Sequence, residues 1–290
     1  MAEFFLAPLR GVTIRCFRRV FARPLIEAGF TEAITPFIAA NQGVDPLKDR
    51  ELRRSDGDVA EPLRVTPQFI SKDSRALRTC LLRIKSAGYD TADLNCGCPF
   101  PMIRQKGRGS GLLRTPDILR AMLEVGCEVM GEGKFSIKTR LGFYHAHDLL
   151  GLMPLINLYP LRFMTLHART AYQMYDGPCD WAAYEAVARV CKVPLVRNGD
   201  IQMGETDGDS PVMIGRAFIR SLGERDDILD LLAQYAEASR RELSGDSPVL
   251  GRLKELVSYW ADSPRWSRAW ELAKLARRVD EFFAAARTVK

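Results

Sequence analysis

Residues 73–99 read DSRALRTCLLRIKSAGYDTADLNCGCP, and the fold turns on this stretch. Asp73 or Ser74 can cap a helix, because a short side-chain oxygen accepts hydrogen bonds from the free N–H groups of a first turn. Leu77, Leu81, Leu82 and Ile84 then recur at helical spacing on one face. Gly88 stops the helix, since glycine takes the left-handed conformation at a helix end without steric cost. Thr91 to Leu94 follow as a short strand, and Asn95-Cys96-Gly97-Cys98-Pro99 turns away from its end. A helix delivered directly into a strand is one step of parallel βα construction.

The same alternation runs outward in both directions. Upstream, Phe4 to Ala7 and Ala33 to Thr35 read as strands flanking an amphipathic stretch through Ala28, and Arg64 to Ile70 as the next strand. Downstream, helices Pro116–Val129, His147–Leu158 and Trp181–Val190 alternate with strands Phe135–Thr139, Arg162–His167, Leu195–Asn198 and Val212–Ile214. About eight strands result, enough to close a (β/α)8 TIM barrel whose active-site loops follow the strands' C-terminal ends. The expectation is an α/β protein with this barrel in residues 1–225 and a small all-helical domain in 226–290. That tail carries Arg240, Arg241, Arg252, Lys254, Arg265, Arg268, Lys274, Arg277, Arg278 and Arg287, read here as an Arg and Lys excess suited to RNA. Core packing is the expected role for at least two of Trp260, Trp266 and Trp270.

Composition narrows the class. The formal charge is +6 over 290 residues, compatible with a polyanionic partner. No run approaches the roughly 18 apolar residues of a membrane-spanning helix, and the start lacks a secretory pattern; a cytoplasmic monomer is expected. Seven scattered cysteines suit reduced thiols better than a disulfide framework or a zinc site.

Polar residues collect where the strands end. Cys98 follows a strand within a Gly- and Pro-shaped turn, so it reads as an accessible thiol. Lys106 to Leu113 combine three glycines with positive charge, and read as a loop that orders on substrate. Lys138 and Arg140 end one strand, His167 and Arg169 the next, and Asn198-Gly199-Asp200 and Gly215-Arg216 the last two. Barrels commonly hold phosphate in the loops after strands seven and eight.

These residues resemble one family, the tRNA-dihydrouridine synthases. The centre of the resemblance is Leu94-Asn95-Cys96-Gly97-Cys98-Pro99 with the Lys106 to Leu113 loop. Around it, in the family's order, stand Ala7-Pro8-Leu9, Thr66-Pro67-Gln68, Lys138-Thr139-Arg140-Leu141-Gly142, His167-Ala168-Arg169-Thr170, Asn198-Gly199-Asp200-Ile201 and Met213-Ile214-Gly215-Arg216. The resemblance implies an FMN flavoenzyme driven by NADPH that reduces C5=C6 of a tRNA uridine, with Cys98 as the proton donor to C5. It further implies FMN contacts from Pro8, Leu9, Gln68, Lys138, His167, Asn198, Gly199, Asp200, Gly215 and Arg216, and substrate contacts from Asn95, Arg169, Gln173 and Tyr175. No metal is implied. The competing readings are a flavin oxidoreductase of a free pyrimidine and a catalytically silent tRNA-binding protein.

Two features depart from the family. Residues 201–211 are too short for the usual crossover with a full helix, so a loop or single turn is expected. Cys96 places a second thiol two positions from the acid, where oxidation or an alternative donor is conceivable.

Overall fold

The computed structural model describes residues 3–52, 63–206, 208 and 210–289. Among the described residues, ten parallel strand segments form one sheet: β1 Phe4–Leu6, β2 Phe30–Ile34, β3 Ile38–Ala39, β4 Arg64–Thr66, β5 Gln68–Ile70, β6 Ala92–Cys96, β7 Phe135–Gly142, β8 Met164–Thr170, β9 Leu195–Asn198 and β10 Val212–Ile214. Only Pro67 separates β4 from β5. Proline has no N–H to give to a ladder, and the chain uses the break to change partners: β4 pairs with β2, whereas β5 pairs with β3 and β6. Because β10 pairs with β1 and β1 with β2, the ring closes. Ten segments thus make the eight staves of a (β/α)8 barrel.

The outer layer comprises α1 Arg15–Val20, α2 Ala22–Glu27, α3 Ser74–Ser86, a short α4 Pro101–Arg104, α5 Pro116–Met130, α6 Asp148–Ile156, α7 Trp181–Ala188 and α8 Arg216–Leu222. Asp73, rather than Ser74, caps α3, its Oδ1 accepting from the N–H groups of Arg75 at 2.9 Å and Ala76 at 3.1 Å. The buried face of α3 is Leu77, Cys80, Leu81 and Ile84; Leu82 is turned to solvent, because 82 falls one position off the 3–4 spacing those residues share.

Strand alternation sorts the side chains. Leu94 and Cys96 of β6, Ile137 of β7 and Leu166 of β8 face the helices and join one apolar cluster with α3, α5 and α6. Phe5, Ala7, Ile34, Phe163, Val196 and Met213 fill the barrel's interior. The crossover from β9 to β10 contains no helix among its described residues, as expected; Asp207 and Asp209 lie outside them. The connection from β3 to β4 likewise shows only a 3₁₀ turn, Pro46–Lys48, among its described residues.

The tail forms α9 Ile228–Glu242, α10 Asp246–Ser258, α11 Ser267–Ala273 and α12 Val279–Ala286. Trp260 and Trp266 are buried with ring centroids 4.6 Å apart, and their indole N–H groups donate to the carbonyls of Ile219 at 2.6 Å and Gly223 at 2.8 Å. Trp270 is only partly buried against the same cluster. The basic excess expected of this tail is absent: residues 226–290 hold eleven basic and eleven acidic side chains, so the whole +6 resides in residues 1–225. Carboxylates interleaved along the same helices offset the arginines and lysines. Among the described residues, no helix is long and apolar enough to cross a membrane.

Candidate active site

The mouth of the barrel is organised around the loop after β6. Asn95, pointing inward, accepts at Oδ1 from the N–H groups of Gly97 at 3.2 Å and Cys98 at 2.8 Å. Its Nδ2 donates to Gln68 Oε1 at 2.8 Å, and Gln68 Nε2 donates to Asp93 Oδ2 at 2.8 Å. Asp93 also accepts from Ser136 Oγ at 2.6 Å. An amide presents a donor on one side and an acceptor on the other, so the Asp93 carboxylate dictates how Gln68 lies, Gln68 dictates how Asn95 lies, and Asn95 fixes the Cys98 turn. Burial pushes the Asp93 carboxyl up to about 6, against the pull of its two hydrogen bonds and of Lys138.

Cys98 is buried to 7% exposure. Burial pushes its thiol up, opposed by a backbone hydrogen bond and by the charges of Arg140, Arg10 and Lys138. The glycine-rich segment downstream does not await substrate to become ordered: Gly109–Arg114 is a 3₁₀ turn whose residues Gly109 to Leu113 are buried. Leu112 and Leu113 reach the apolar layer behind the sheet, while Ser110 donates from both N–H and Oγ to the Cys98 carbonyl at 3.2 and 2.9 Å. Gly109 has φ +58°, and a Cβ there would sit 2.9 Å from Cys98 Cβ; the glycine permits the turn to press on the cysteine. Cys96 points the other way, into the helix-facing cluster with 1% exposure, and burial raises its thiol far above the ordinary range. Cys96 directly follows Asn95 in the strand, and the pleat assigns consecutive residues opposite faces. It is no alternative donor to the mouth.

Beside this loop lies a cavity of about 420 Å³ lined by Pro8, Leu9, Lys138, His167, Tyr175, Asn198, Gly199, Asp200, Gly215 and Arg216, with Arg220 at its rim. Lys138 Nζ donates to Asn198 Oδ1 at 2.8 Å, and Asn198 Nδ2 to the Met213 carbonyl at 2.8 Å. Arg169 donates to Asp200 and to the Gly177 carbonyl, and its Nη1 lies 3.3 Å from His167 Nε2. Arg216 shares the same Asp200. Asp200 is the one carboxylate among the described lining residues, against three cations, Lys138, Arg216 and Arg220. The surplus positive charge registers on the lining itself. Burial, then Arg140, pushes Lys138 down to about 7, and burial, then Arg140 and Lys138, holds His167 well below its usual range. An anionic group relieves both. At Gly199 a Cβ would lie 2.7 Å from Cys179 Sγ and 3.0 Å from the His167 ring, so only a bare backbone can pass between them and the cavity.

Nine of the ten residues expected to touch a flavin line this cavity; Gln68 instead sits fully buried in the Asp93–Asn95 relay. Of the residues expected at the substrate, Tyr175 lines it, with its ring 5.2 Å from the guanidinium of Arg140 and 5.1 Å from that of Arg216. Asn95 and Arg169 lie behind the wall, and Gln173 folds back so that its Oε1 accepts from Thr170 N–H at 3.0 Å. Asp93 went unread in the sequence. Its signal was available: a carboxylate inside an apolar strand, two positions from Asn95 and therefore on the same face.

The family model described as "Dihydrouridine synthase (Dus)" matches residues 5–221. The chain belongs to the dihydrouridine synthase family. It is by class a flavin-dependent oxidoreductase. Its similarity extends over 97% of its length, and 93% of the relative's, to a tRNA-dihydrouridine(16) synthase from Aquipseudomonas alcaligenes, at 27% identity. A probable tRNA-dihydrouridine synthase from Rhizobium leguminosarum bv. phaseoli is 28% identical, covering 73% of this chain and 67% of that one. Among solved structures, morphinone reductase superposes with a TM-score of 0.52 at 12% identity, covering 75% of this chain and 82% of the other. An old yellow enzyme homologue from Zymomonas mobilis gives 0.52 at 13%, covering 75% and 85%. At these identities the likeness concerns the barrel alone.

Proposed function

We propose that this dihydrouridine synthase family member reduces the C5=C6 bond of a uridine in tRNA to 5,6-dihydrouridine, with Cys98 delivering the proton to C5. The observation that carries the reading is the meeting, at one barrel mouth, of a pinned and protonated thiol with a cation-rich cavity suited to FMN. Lys138, His167, Asn198 and Arg216 would hold the cofactor, with Gly199 and Gly215 leaving room for it beside the backbone. When bound there, FMN would supply hydride chemistry at C6, with NADPH as the source of the electrons.

The remaining tasks belong to the protein. Burial keeps Cys98 as S–H at neutral pH, the form a proton donor needs. Once the proton has left, the thiolate faces Arg140, Arg10 and Lys138, which stabilise its charge. Asn95 sets the donor's direction through the turn it holds. The target base has to leave its stack to reach so recessed a thiol.

The test is dihydrouridine content in unmodified tRNA incubated with the protein, FMN and NADPH, compared with NADH. Wild type should form it, and Cys98→Ala should lose roughly 10²- to 10⁴-fold in rate, the usual contribution of a positioned acid, at unchanged flavin binding. Equal rates would remove Cys98 from the mechanism. No product from flavin-loaded wild type would remove the reaction.

A further inference from the structure

Among the described residues, the large aromatic side chains that stand exposed are Phe100, Tyr144, Tyr172 and Tyr175, and all four lie on the loops after β6, β7 and β8. Two of them belong to a built surface. The rings of Tyr144 and Tyr172, 52% and 67% exposed, have centroids 6.0 Å apart. The Arg104 guanidinium lies 5.8 Å from the Tyr172 ring and 5.4 Å from Phe143, and that of Arg114 lies 5.7 Å from Tyr144 and 4.9 Å from Phe143. Phe143 is buried beneath them. Arg104 Nη1 also donates to the Ala171 carbonyl at 3.1 Å, tying the Cys98 loop to the loop that carries Tyr172.

The charge here is unbalanced. No acidic residue occurs between Asp93 and Asp117, and neither Arg104 nor Arg114 has a carboxylate partner among the described residues. Flat π faces and planar guanidinium groups side by side, without acids, match the two components of single-stranded RNA: bases to stack and phosphates to neutralise. A protein surface would call for apolar floor or acidic complement. The platform begins six residues after Cys98, so whatever rests on it is continuous with what enters the mouth.

We propose that Tyr144, Tyr172, Arg104 and Arg114 form a stacking platform that grips the unstacked nucleotides flanking the uridine presented to Cys98. This rests on the reading of the mouth given above and adds the surface that holds the RNA open there.

The experiment is fluorescence anisotropy with labelled unmodified tRNA across a salt series, using the full chain, alongside dihydrouridine formation. Tyr144→Ala and Tyr172→Ala should each weaken binding about five- to a hundred-fold, the range for loss of one base stack. Tyr→Phe at either position should restore it. Arg104→Gln with Arg114→Gln should lower the slope of log affinity against log salt by about 1 to 2. Tyr144 and Tyr172 are exposed, so the melting temperatures of their variants should hold. Wild-type affinity in both ring-deletion variants overturns the platform and leaves the reaction standing wherever product still forms. Ring-dependent tRNA binding without any dihydrouridine from wild type overturns the reaction and leaves the platform standing.

Discussion

The molecule has two arginine-rich regions, the barrel mouth and the C-terminal helices, and they use the same side chain in opposite ways. In the tail, several guanidinium groups are engaged by the protein's own carboxylates and carbonyls. Arg240 faces Glu237 and Asp246, Arg252 faces Glu242, and Arg278 faces Asp280. Arg265 donates to the carbonyls of Gly223 and Arg225 at 3.2 Å each. At the mouth, Arg104, Arg114 and Arg140 lie over aromatic rings, and Arg169 and Arg216 share one carboxylate, Asp200. Arginine count therefore says little about a nucleic-acid surface. What distinguishes the mouth is the shortage of acids around it.

The contrast would break most visibly in the tail's core. Trp260→Ala removes a buried indole and its hydrogen bond to Ile219, and should cost about 3–5 kcal/mol in denaturant unfolding, the range for deleting a large buried aromatic. If it weakened RNA binding with stability intact, the tail would be an RNA surface after all. At the mouth, the relay can be probed through Asp93. Asp93→Asn keeps an acceptor for Gln68 and can donate to Ser136, so the Cys98 turn should survive; Asp93→Ala should lower turnover about tenfold or more, with tRNA affinity unchanged. The carboxyl of Asp93 is raised in the fold, so its ionisation disfavours the folded state. Relative to Asp93→Asn, wild-type stability should fall between about pH 4 and pH 6, by up to about 3 kcal/mol, and stay level above that. A flat difference across that window would show Asp93 to be solvated.

Lys138 gives a smaller, opposite-signed handle. Its ammonium is pushed down to about 7 in the free protein, and a bound anion raises it back towards its ordinary value. Flavin binding should then take up a proton above pH 7, and affinity should decline as pH rises past 7, at most about tenfold per unit. Fluorescence titrations at several pH values read this directly; affinity constant from pH 7 to 9 would place the anion away from Lys138. Least of all should come from Arg240→Ala in the tail. Exposed pairs of this kind contribute little, so tRNA affinity should change by less than about twofold. A larger loss would erase the distinction between the regions.

Much of this was legible in the sequence because it depends on local pattern. The βα alternation located the barrel, and strand ends located Cys98, Lys138, His167, Asn198 and Gly215. What escaped was whatever depended on the third dimension. Gly109 to Leu113 looked like a free loop, since three glycines and two cations conceal that Leu112 and Leu113 are anchored behind the sheet. Cys96 looked like a rival thiol until the pleat turned it away. Tyr144 and Tyr172 are 28 positions apart, and only the adjacency of β7 and β8 makes them neighbours. The tail's charge balance needed no structure, only a count of both signs.

That no helix stands between β9 and β10 among the described residues has a consequence for modularity. Ile201, Val212, Ile214 and Phe218 of the barrel share one continuous apolar cluster with Leu232, Tyr235, Trp260 and Phe282 of the tail. The tail covers part of the barrel's outer wall, so a chimera joining this barrel to a relative's tail would inherit a mismatched seam, and a chain cut near residue 225 would expose sticky surface instead of yielding a clean catalytic fragment.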